Sequence, residues 1–241
     1  MEINTKYGQV KILYEDNQLI AAVKPANLPS QGDLSGDEDM LTLLKRYIVQ
    51  KYNKPGEAYL GLVHRLDRPV GGVMVFARTS KAAARLSAQF AEHSTQKTYL
   101  AVLEAEVREP MHLQNYILQR QGQNVRVTDS DKGGARFASL ISQPIAVRDA
   151  LTLTRVTLET GRKHQIRAQH AHAGYPIWGD NRYGHGRAGM QIALWAMRLN
   201  IEHPTRHEKL TFTAPPPDSN PWSKFRPEIE AIIHENEEQT V

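Results

Sequence analysis

The chain has 241 residues, of which 40% are hydrophobic and 23% charged, so it is long enough to bury the core of a globular protein. Its longest apolar stretch, around residues 73–77, is far shorter than the roughly 20 residues of a membrane-spanning helix. The N-terminus lacks the apolar segment of a signal peptide. We therefore expect a cytoplasmic protein without membrane association. The absence of cysteine excludes disulfides, cysteine-ligated metals and thiol nucleophiles, while a net charge of +4 is too mild to indicate a nucleic-acid partner by itself.

The first third of the chain predicts two strands and a helix. Residues 10–23 alternate as two short strands around the turn residues 15–17, and Lys24-Pro25 ends the second strand because proline cannot donate to a ladder. Residues 41–52 have helical spacing, with Leu41, Leu44 and Ile48 on one face.

The middle and the end of the chain alternate between strands and helices. Residues 73–77 predict a central strand, and Thr79 or Ser80 caps a helix that follows. Residues 97–107 and 151–159 predict two further strands, and residues 163–173 predict a helix that ends at Gly174.

Strands outnumber helices, and neighbouring strands are spaced like hairpins. The sequence therefore predicts an α+β fold around a mixed, largely antiparallel central sheet flanked by helices and loops. No repeat and no linker divides the chain, so we expect a single domain of residues 1–241. Its core covers about residues 10–217 and it ends in an acidic tail with Glu235, Glu237 and Glu238.

The segment from His64 to Pro69 places a carboxylate, Asp67, between the guanidinium groups of Arg65 and Arg68. Gly71 and Gly72 follow, so Asp67 lies on a loop at the entrance of a strand, where catalytic residues are often found. The nearby positive charge favours the ionised carboxylate that a nucleophile requires. A surface Asp–Arg pair without function is the alternative interpretation of this segment.

A second segment, Lys97-Thr98-Tyr99, begins a predicted strand. The Tyr99 ring belongs to the core, or it stacks on an unstacked nucleobase; the pattern alone leaves both open.

The third segment, residues 160–167, joins a strand to a helix. It contains Arg162, Lys163 and Arg167 and no acid, which is consistent with a polyanion partner and equally with a solvated helix face. Arg167 either reaches a buried carboxylate or lies in solvent.

Three histidines lie close together at positions 164, 170 and 172, but no two of them share a helical face at the spacing of three or four residues that a metal site needs. Phosphate-binding loops, dinucleotide fingerprints and the serine-hydrolase elbow are also missing from the sequence. We therefore expect no metal and no cofactor.

The three segments together resemble the RluA-type pseudouridine synthases, which isomerise uridine in RNA. The hallmark His-Arg-Leu-Asp stands at residues 64–67, the Lys-x-Tyr signature at 97–99, and Gly-Arg-x-His-Gln-Ile-Arg at 161–167. The likeness covers about residues 11–217, with the segments in the family's order and spacing. It implies a pseudouridine-synthase-like catalytic domain that acts on structured RNA, either ribosomal or transfer RNA.

Two segments depart from the family pattern. Val70-Gly71-Gly72 replaces the usual Thr-Ser-Gly after the aspartate, and Leu194-Trp195-Ala196 replaces the usual Leu-His-Ala. The small S4-type RNA-binding module of many relatives has no room before the first predicted strand. RNA binding is therefore expected of the catalytic domain itself.

The resemblance also implies the role of each site residue. Asp67 is the nucleophile, Tyr99 stacks on the target base or acts as a general base, and Arg167 pairs with Asp67. RNA-binding roles fall to five further residues: Arg65, which fills the space of the flipped nucleotide; Ile166, which lines the uracil pocket; and Lys97, Arg162 and Lys163, which contact phosphates.

The same residues are compatible with other functions. The main alternative is a non-catalytic RNA-binding protein on the same fold, and a nucleosidase that releases free uracil is another. The expected enzyme is a monomer without an obligate protein partner. The sequence leaves open which uridine is modified and whether Asp67 attacks C1′, attacks C6 or assists loss of a ribose proton.

Overall fold

The computed structural model describes residues 1–120 and 124–234. The chain forms two compact units, of which the first comprises Met1–Gln96 with Arg198–Ala214 and the second comprises Lys97–Met197 with the residues that follow 214. The single catalytic domain predicted for residues 1–241 stays a prediction. The predicted acidic tail, with Glu235, Glu237 and Glu238, lies outside the described residues.

Strands dominate the described part of the chain. In chain order they are β1 (Glu2–Thr5), β2 (Gly8–Glu15), β3 (Leu19–Lys24), β4 (Gly61–Leu62), β5 (Gly71–Ala77), β6 (Gln96–Leu103), β7 (Met111–Leu118), β8 (Arg126–Thr128), β9 (Arg136–Arg148), β10 (Leu151–Leu158), β11 (Leu194–Glu202) and β12 (Lys209–Thr213). The α-helices of the same residues are α1 (Met40–Lys51), α2 (Ser80–Ala91), α3 (Gln165–His172) and α4 (Arg226–His234).

The first unit is built on β5, whose seven residues are all buried. Strands β1, β2, β3 and β5 pair in that order and are antiparallel, and β4 pairs with β5. The residues of β11 from Arg198 onward pair with β12. Apolar side chains of β3, β5, α2, β11 and β12 form one core, which includes Leu19, Val75, Leu86 and Phe212.

Two side-chain caps explain where the helices of the first unit begin. The Asp39 carboxylate accepts a hydrogen bond from the Thr42 backbone N–H, and the Thr79 hydroxyl accepts one from Ala82. Of the two predicted caps, Thr79 and Ser80, the structure shows Thr79, and the strand predicted over residues 73–77 is confirmed as part of β5. So are the two strands around residues 15–17, which are β2 and β3.

The second unit contains the antiparallel order β6, β10, β9, β7 and β8. Helix α3 packs against β7 and β8. Ala168 on that helix lies in a small core with Ile117, Val125 and Ala138. The strand predicted over residues 97–107 is shorter than expected and ends at Leu103.

The predicted α+β fold with a largely antiparallel arrangement of strands is confirmed, since every pairing given above is antiparallel. The helix predicted over residues 163–173 spans Gln165–His172, and Gly174 has the predicted left-handed backbone, with φ of 85°. Among the described residues, no helix has both the length and the apolar character needed to cross a membrane.

Candidate active site

The first segment forms the loop between β4 and β5 in the first unit. Asp67 is partly exposed on this loop, the preceding Leu66 is buried, and Arg65 is exposed. The Val70 N–H donates to the Asp67 carbonyl at 3.0 Å, which closes a tight turn just before β5. The loop thus presents Asp67 and Arg65 at its surface while its apolar residue anchors it.

Side chains from elsewhere in the first unit fix the main chain of this loop. The Ser30 hydroxyl donates to the Leu66 carbonyl at 2.8 Å and accepts the Leu66 N–H at 3.2 Å. His64 Nε2 accepts the Val75 N–H at 2.9 Å, and the His64 ring stacks on Phe90 with ring centroids 4.5 Å apart. His64 therefore has a structural role, in joining the loop to β5 and α2.

Lys24 is the most unusual residue behind this loop, because its side chain is fully buried. Its ammonium group donates to the carbonyls of Pro25, Leu28 and Arg68 at 3.1, 2.6 and 3.0 Å. Burial lowers the pKa of Lys24 to about 7, although the negative charge of Asp67 acts in the opposite direction. The sequence indicated only a strand end at Lys24-Pro25 and gave no sign of this buried cation.

Arg68 contacts an acidic segment of the first unit. Its guanidinium group forms ion pairs with Asp33, at 3.3 Å, and with Asp37, and it donates to the hydroxyls of Ser35 and Tyr7. The hydrogen bonds from Lys6 and Arg68 hold the pKa of Asp37 well below its usual range. The carboxylates of Asp33 and Asp37 thus neutralise the arginine next to Asp67.

The second segment begins β6 in the second unit. Tyr99 lies opposite Val156 of β10 and is partly buried. Lys97 is also partly buried, and burial lowers the pKa of its ammonium group. The Lys97 Nζ lies 3.1 Å from the position that a Cβ on residue 161 would take. Glycine at this position therefore leaves room for the ammonium group. The structure therefore brings Lys97 of the second segment next to Gly161 of the third.

The third segment leads into α3 and is held by Gln165. The Gln165 side chain accepts hydrogen bonds from the Thr160 hydroxyl at 2.8 Å and the Arg162 N–H at 2.9 Å, and it donates to the Ser139 carbonyl at 3.0 Å. His164, just before the helix, has a left-handed backbone with φ of 53°.

The basic and apolar residues of this segment differ in exposure. Lys163 is exposed, and the Arg162 Nε donates to the Phe137 carbonyl at 3.0 Å. Ile166 is buried. Lys163 is therefore accessible to solvent, as a residue that contacts a phosphate must be, whereas Ile166 is not.

Arg167 is buried and forms a bidentate ion pair with Asp180. Its Nε donates to Asp180 Oδ2 at 2.8 Å and its Nη2 to Oδ1 at 2.7 Å. Burial raises the pKa of Asp180, but the hydrogen bonds and charge of Arg167 outweigh it, so the net pKa lies below the usual value. Of the two positions open for Arg167, a buried carboxylate or solvent, the structure shows the first.

The three histidines of this region point to different partners. His164 Nδ1 lies 2.8 Å from the Tyr183 hydroxyl, whereas the buried His170 is hydrogen-bonded to the Ile166 carbonyl and the Ser142 hydroxyl. His172 is exposed. Burial lowers the pKa of His170 to about 4, which keeps it neutral at pH 7. In the described part of the chain no set of three or more His, Cys, Asp or Glu side chains is arranged to hold a metal ion.

The predicted site residues thus fall into two groups. Asp67 and Arg65 belong to the first unit, and the other six, Lys97, Tyr99, Arg162, Lys163, Ile166 and Arg167, belong to the second. The pairing of Asp67 with Arg167 stays a prediction. Lys24 and Asp180 are the residues that the sequence did not single out for this site.

Comparison with known proteins identifies a common family. A family model described as RNA pseudouridylate synthase matches residues 18–172. The chain is 32% identical over 227 residues to tRNA pseudouridine synthase C of Yersinia pestis, with 85% of this chain and 86% of that protein covered. It is 31% identical over 248 residues to ribosomal large subunit pseudouridine synthase D of Pseudomonas aeruginosa, with 93% and 74% covered.

A solved structure supports the same fold. The human RNA pseudouridylate synthase domain containing 4 superimposes with a TM-score of 0.69, covering 86% of this chain and 88% of that one. Its sequence identity to the present chain is 21%. At that identity the match concerns the fold alone.

Proposed function

This chain belongs to the family of RNA pseudouridylate synthases and isomerises uridine to pseudouridine in RNA, and we propose that the Asp67 carboxylate is the nucleophile of that reaction. The observation that carries the proposal is the anchored loop: Ser30 and Lys24 hold the main chain on either side of Asp67 while Asp67 itself is partly exposed. A nucleophile needs such anchoring because a misplacement of about 1 Å costs about 10²-fold in rate. A purely RNA-binding protein is not favoured, since the named relatives are synthases.

The reaction breaks the N1–C1′ bond, turns the uracil over and joins C5 to C1′. N1 gains a hydrogen and C5 loses one as a proton, so the product is an isomer and no external electrons or groups are needed. Because the base cannot turn within a stacked helix, the nucleotide is first flipped out, which costs a few kcal/mol. Asp67 then attacks C1′ or C6, or assists loss of a ribose proton.

The family resemblance supplies the other roles. Arg167 pairs with Asp67 and keeps it ionised, and Tyr99 stacks on the flipped base or takes a proton. Ile166 lines the uracil pocket, a role that its burial supports.

Contacts to the rest of the RNA are assigned to the remaining basic residues. Arg65 fills the space left by the flipped nucleotide, and its exposure supports this role. Lys97, Arg162 and Lys163 contact phosphates. Such contacts weaken as the salt concentration rises because counterions are released on binding.

The substrate that we propose is a structured ribosomal or transfer RNA, because the relatives named above act on one or the other. We place the enzyme in the cytoplasm as a monomer without an obligate protein partner. Sedimentation of the purified protein at micromolar concentration tests the oligomeric state, and a mass near twice 27.2 kDa contradicts it.

The nucleophile is tested with RNA that carries tritium at uracil C5, because pseudouridine formation expels that hydrogen. We expect Asp67→Asn, which keeps the size of the side chain and removes its charge, to lower the rate of tritium release by about 10⁴-fold or more. Asp149→Asn is the matched control: Asp149 is a loop aspartate paired with Lys224, and its substitution leaves tritium release unchanged.

Two outcomes contradict the proposal. Tritium release by Asp67→Asn at the wild-type rate excludes Asp67 as nucleophile. Free uracil among the products of the wild-type enzyme, found by chromatography of the digested RNA, identifies a nucleosidase instead.

A further inference from the structure

The strands β7 and β9 of the second unit have one face that α3 covers and one that it does not. On the covered face, Ile117 and Ala138 share a small core with Ala168 of the helix. Successive side chains of a strand point to opposite faces. The neighbours of these residues, Tyr116 and Phe137, therefore lie on the other face, where the strand register places them directly opposite each other.

Tyr116 and Phe137 form an aromatic pair on that face. Their ring centroids are 5.7 Å apart and their planes are inclined by 70°, an edge-to-face arrangement that aromatic pairs prefer. The Phe137 side chain is 43% exposed, although phenylalanine is among the residue types that proteins most often bury. An exposed ring that its neighbour already holds in one orientation loses little conformational freedom when a flat ligand stacks on it.

Arginine side chains lie on either side of this pair. The Arg162 Nε donates to the Phe137 carbonyl at 3.0 Å, which brings the guanidinium group next to the residue that carries the ring. That bond uses one of the five guanidinium N–H donors, and four remain for other acceptors. On β8, the exposed Arg126 is two residues from Thr128, the register partner of Tyr116, so it lies on the same face as the rings.

The charge of this region favours a polyanion. Strands β7, β8 and β9 contain three arginines and no acidic residue, and the connection from β8 to β9 adds Asp129, Asp131 and Lys132. One further carboxylate, that of Glu159, is hydrogen-bonded to Ser139 and lies 3.0 Å from the Nε2 atom of histidine 112. An exposed ring between cations matches single-stranded nucleic acid, whose bases stack on aromatic side chains while its phosphates contact arginines.

We propose that Phe137 is a stacking site for an unpaired base of the RNA substrate. The inference rests on the proposed function, in which Arg162 contacts a phosphate. Because Arg162 is hydrogen-bonded to the Phe137 main chain, a phosphate that it holds brings the adjoining nucleotide beside the ring. A base within a duplex is already stacked on its neighbours, so only a loop, a bulge or a strand end supplies this nucleotide. The substrate is thus an RNA with an unpaired nucleotide at that phosphate.

The test is the affinity of the full chain for a fluorescein-labelled single-stranded RNA of about ten nucleotides, measured by fluorescence anisotropy. We expect Phe137→Ala to raise the Kd by about 5- to 100-fold, the loss that removal of one base–aromatic stack produces. Phe137→Trp keeps a ring, so its Kd stays within about twofold of the wild-type value. An unchanged Kd for Phe137→Ala overturns the inference, and so does a wild-type protein that does not bind the RNA.

Two comparisons separate stacking from a general apolar contact. Phe137→Leu keeps an apolar side chain on β9 but has no planar ring, so we expect its Kd to rise as that of Phe137→Ala does. The same RNA annealed to its complement offers no unstacked base, so Phe137→Ala changes the Kd for this duplex by less than about twofold. Wild-type affinity of Phe137→Leu, or an equal loss for the duplex, overturns the inference.

Tyr59 provides the matched control, because its side chain is similarly exposed, at 50%, and belongs to the first unit. Tyr59→Ala leaves the Kd for the single strand unchanged, and a loss equal to that of Phe137→Ala overturns the assignment of the stack to Phe137. Tritium release and RNA affinity are separate measurements. A fully active Asp67→Asn refutes the proposed nucleophile, whereas a wild-type Kd for Phe137→Ala refutes the stacking site.

Discussion

The loop that carries Asp67 and the helix that carries Arg167 are anchored by different kinds of contact. Ser30 and Lys24 hold the loop through the main chain of Leu66 and Arg68. Asp180 holds Arg167 through its side chain. Substitutions behind the loop therefore move the backbone on which Asp67 sits, whereas substitutions behind Arg167 change one guanidinium group and leave the helix in place.

The largest effect on stability is expected at Lys24, because this residue anchors the Asp67 loop and is a base buried in the protein. Its pKa is about 7 in the folded protein and 10.5 in an unfolded chain, so between these values the unfolded state binds more protons and stability rises with pH. Over this whole pH range the free energy of unfolding rises by about 4–5 kcal/mol. Below pH 7 both states are protonated and this dependence ends.

Denaturant unfolding at several values between pH 7 and 10 checks this expectation by comparing the wild type with Lys24→Met. The charged groups that act on Lys24, Asp67 and Arg68, are present in both proteins, so the wild type gains stability relative to the variant as the pH rises. Lys11→Met, at an exposed lysine of β2, shows no such difference from wild type. Parallel curves for wild type and Lys24→Met would show that Lys24 keeps an ordinary pKa.

A smaller effect is expected at Gly186, which supports the carboxylate behind Arg167. Gly186→Ala places a methyl group against the Gly179 backbone and lowers the free energy of unfolding by about 1–3 kcal/mol. Because the Gly186 N–H donates to the Asp180 carbonyl at 3.1 Å, the substitution also moves the carboxylate that pairs with Arg167, so kcat falls as well while RNA affinity is retained.

Gly56→Ala is the control for this substitution, since no heavy atom of the described residues lies within 4 Å of its added Cβ. Thermal unfolding and tritium release are measured on both variants. If Gly186→Ala is destabilised but keeps wild-type kcat, the rigidity of the turn has no part in catalysis.

The smallest effect is expected at the exposed Lys163. Lys163→Gln removes one phosphate contact and reduces the slope of log Kd against log salt concentration by about 1. Filter binding between about 50 and 200 mM salt measures this change. Lys54→Gln, at an exposed lysine of the first unit, leaves the slope as it is. If Lys163→Gln and Lys54→Gln have equal slopes of log Kd against log salt concentration, Lys163 does not contact the RNA.

Local sequence patterns predicted the elements that carry the first segment. The strand β5 is a short apolar run between glycines and turn residues, and Thr79 is a standard helix cap, so both follow from neighbours in the sequence. Strands β7 and β9 were not predicted. In β7 the alternation of apolar and polar residues lasts only from Met111 to Gln114 and is broken at Asn115, and Pro144 lies within β9, so neither strand has a sustained apolar period.

Lys24 and Asp180, which support the site, were not predicted either, and the reason differs from the one that applies to β7 and β9. Asp180 lies thirteen residues beyond Arg167, in a turn whose path brings the two together only in the folded chain. Lys24 lies next to a proline that ends a strand, and one of the three carbonyl groups that accept its hydrogen bonds, that of Arg68, comes from another loop. Residue type and spacing identify a charged group, but its partner is set by tertiary packing.

The ion pairs around Arg68 bear on how a polyanion meets this enzyme. Lys6 and Arg68 face Asp33 and Asp37, so the two positive and two negative charges cancel within this patch. A phosphodiester gains little by approaching a surface that is already electrically balanced. The surface formed by these four residues beside Asp67 therefore favours contact with an uncharged ribose and base over contact with the phosphate backbone of the RNA.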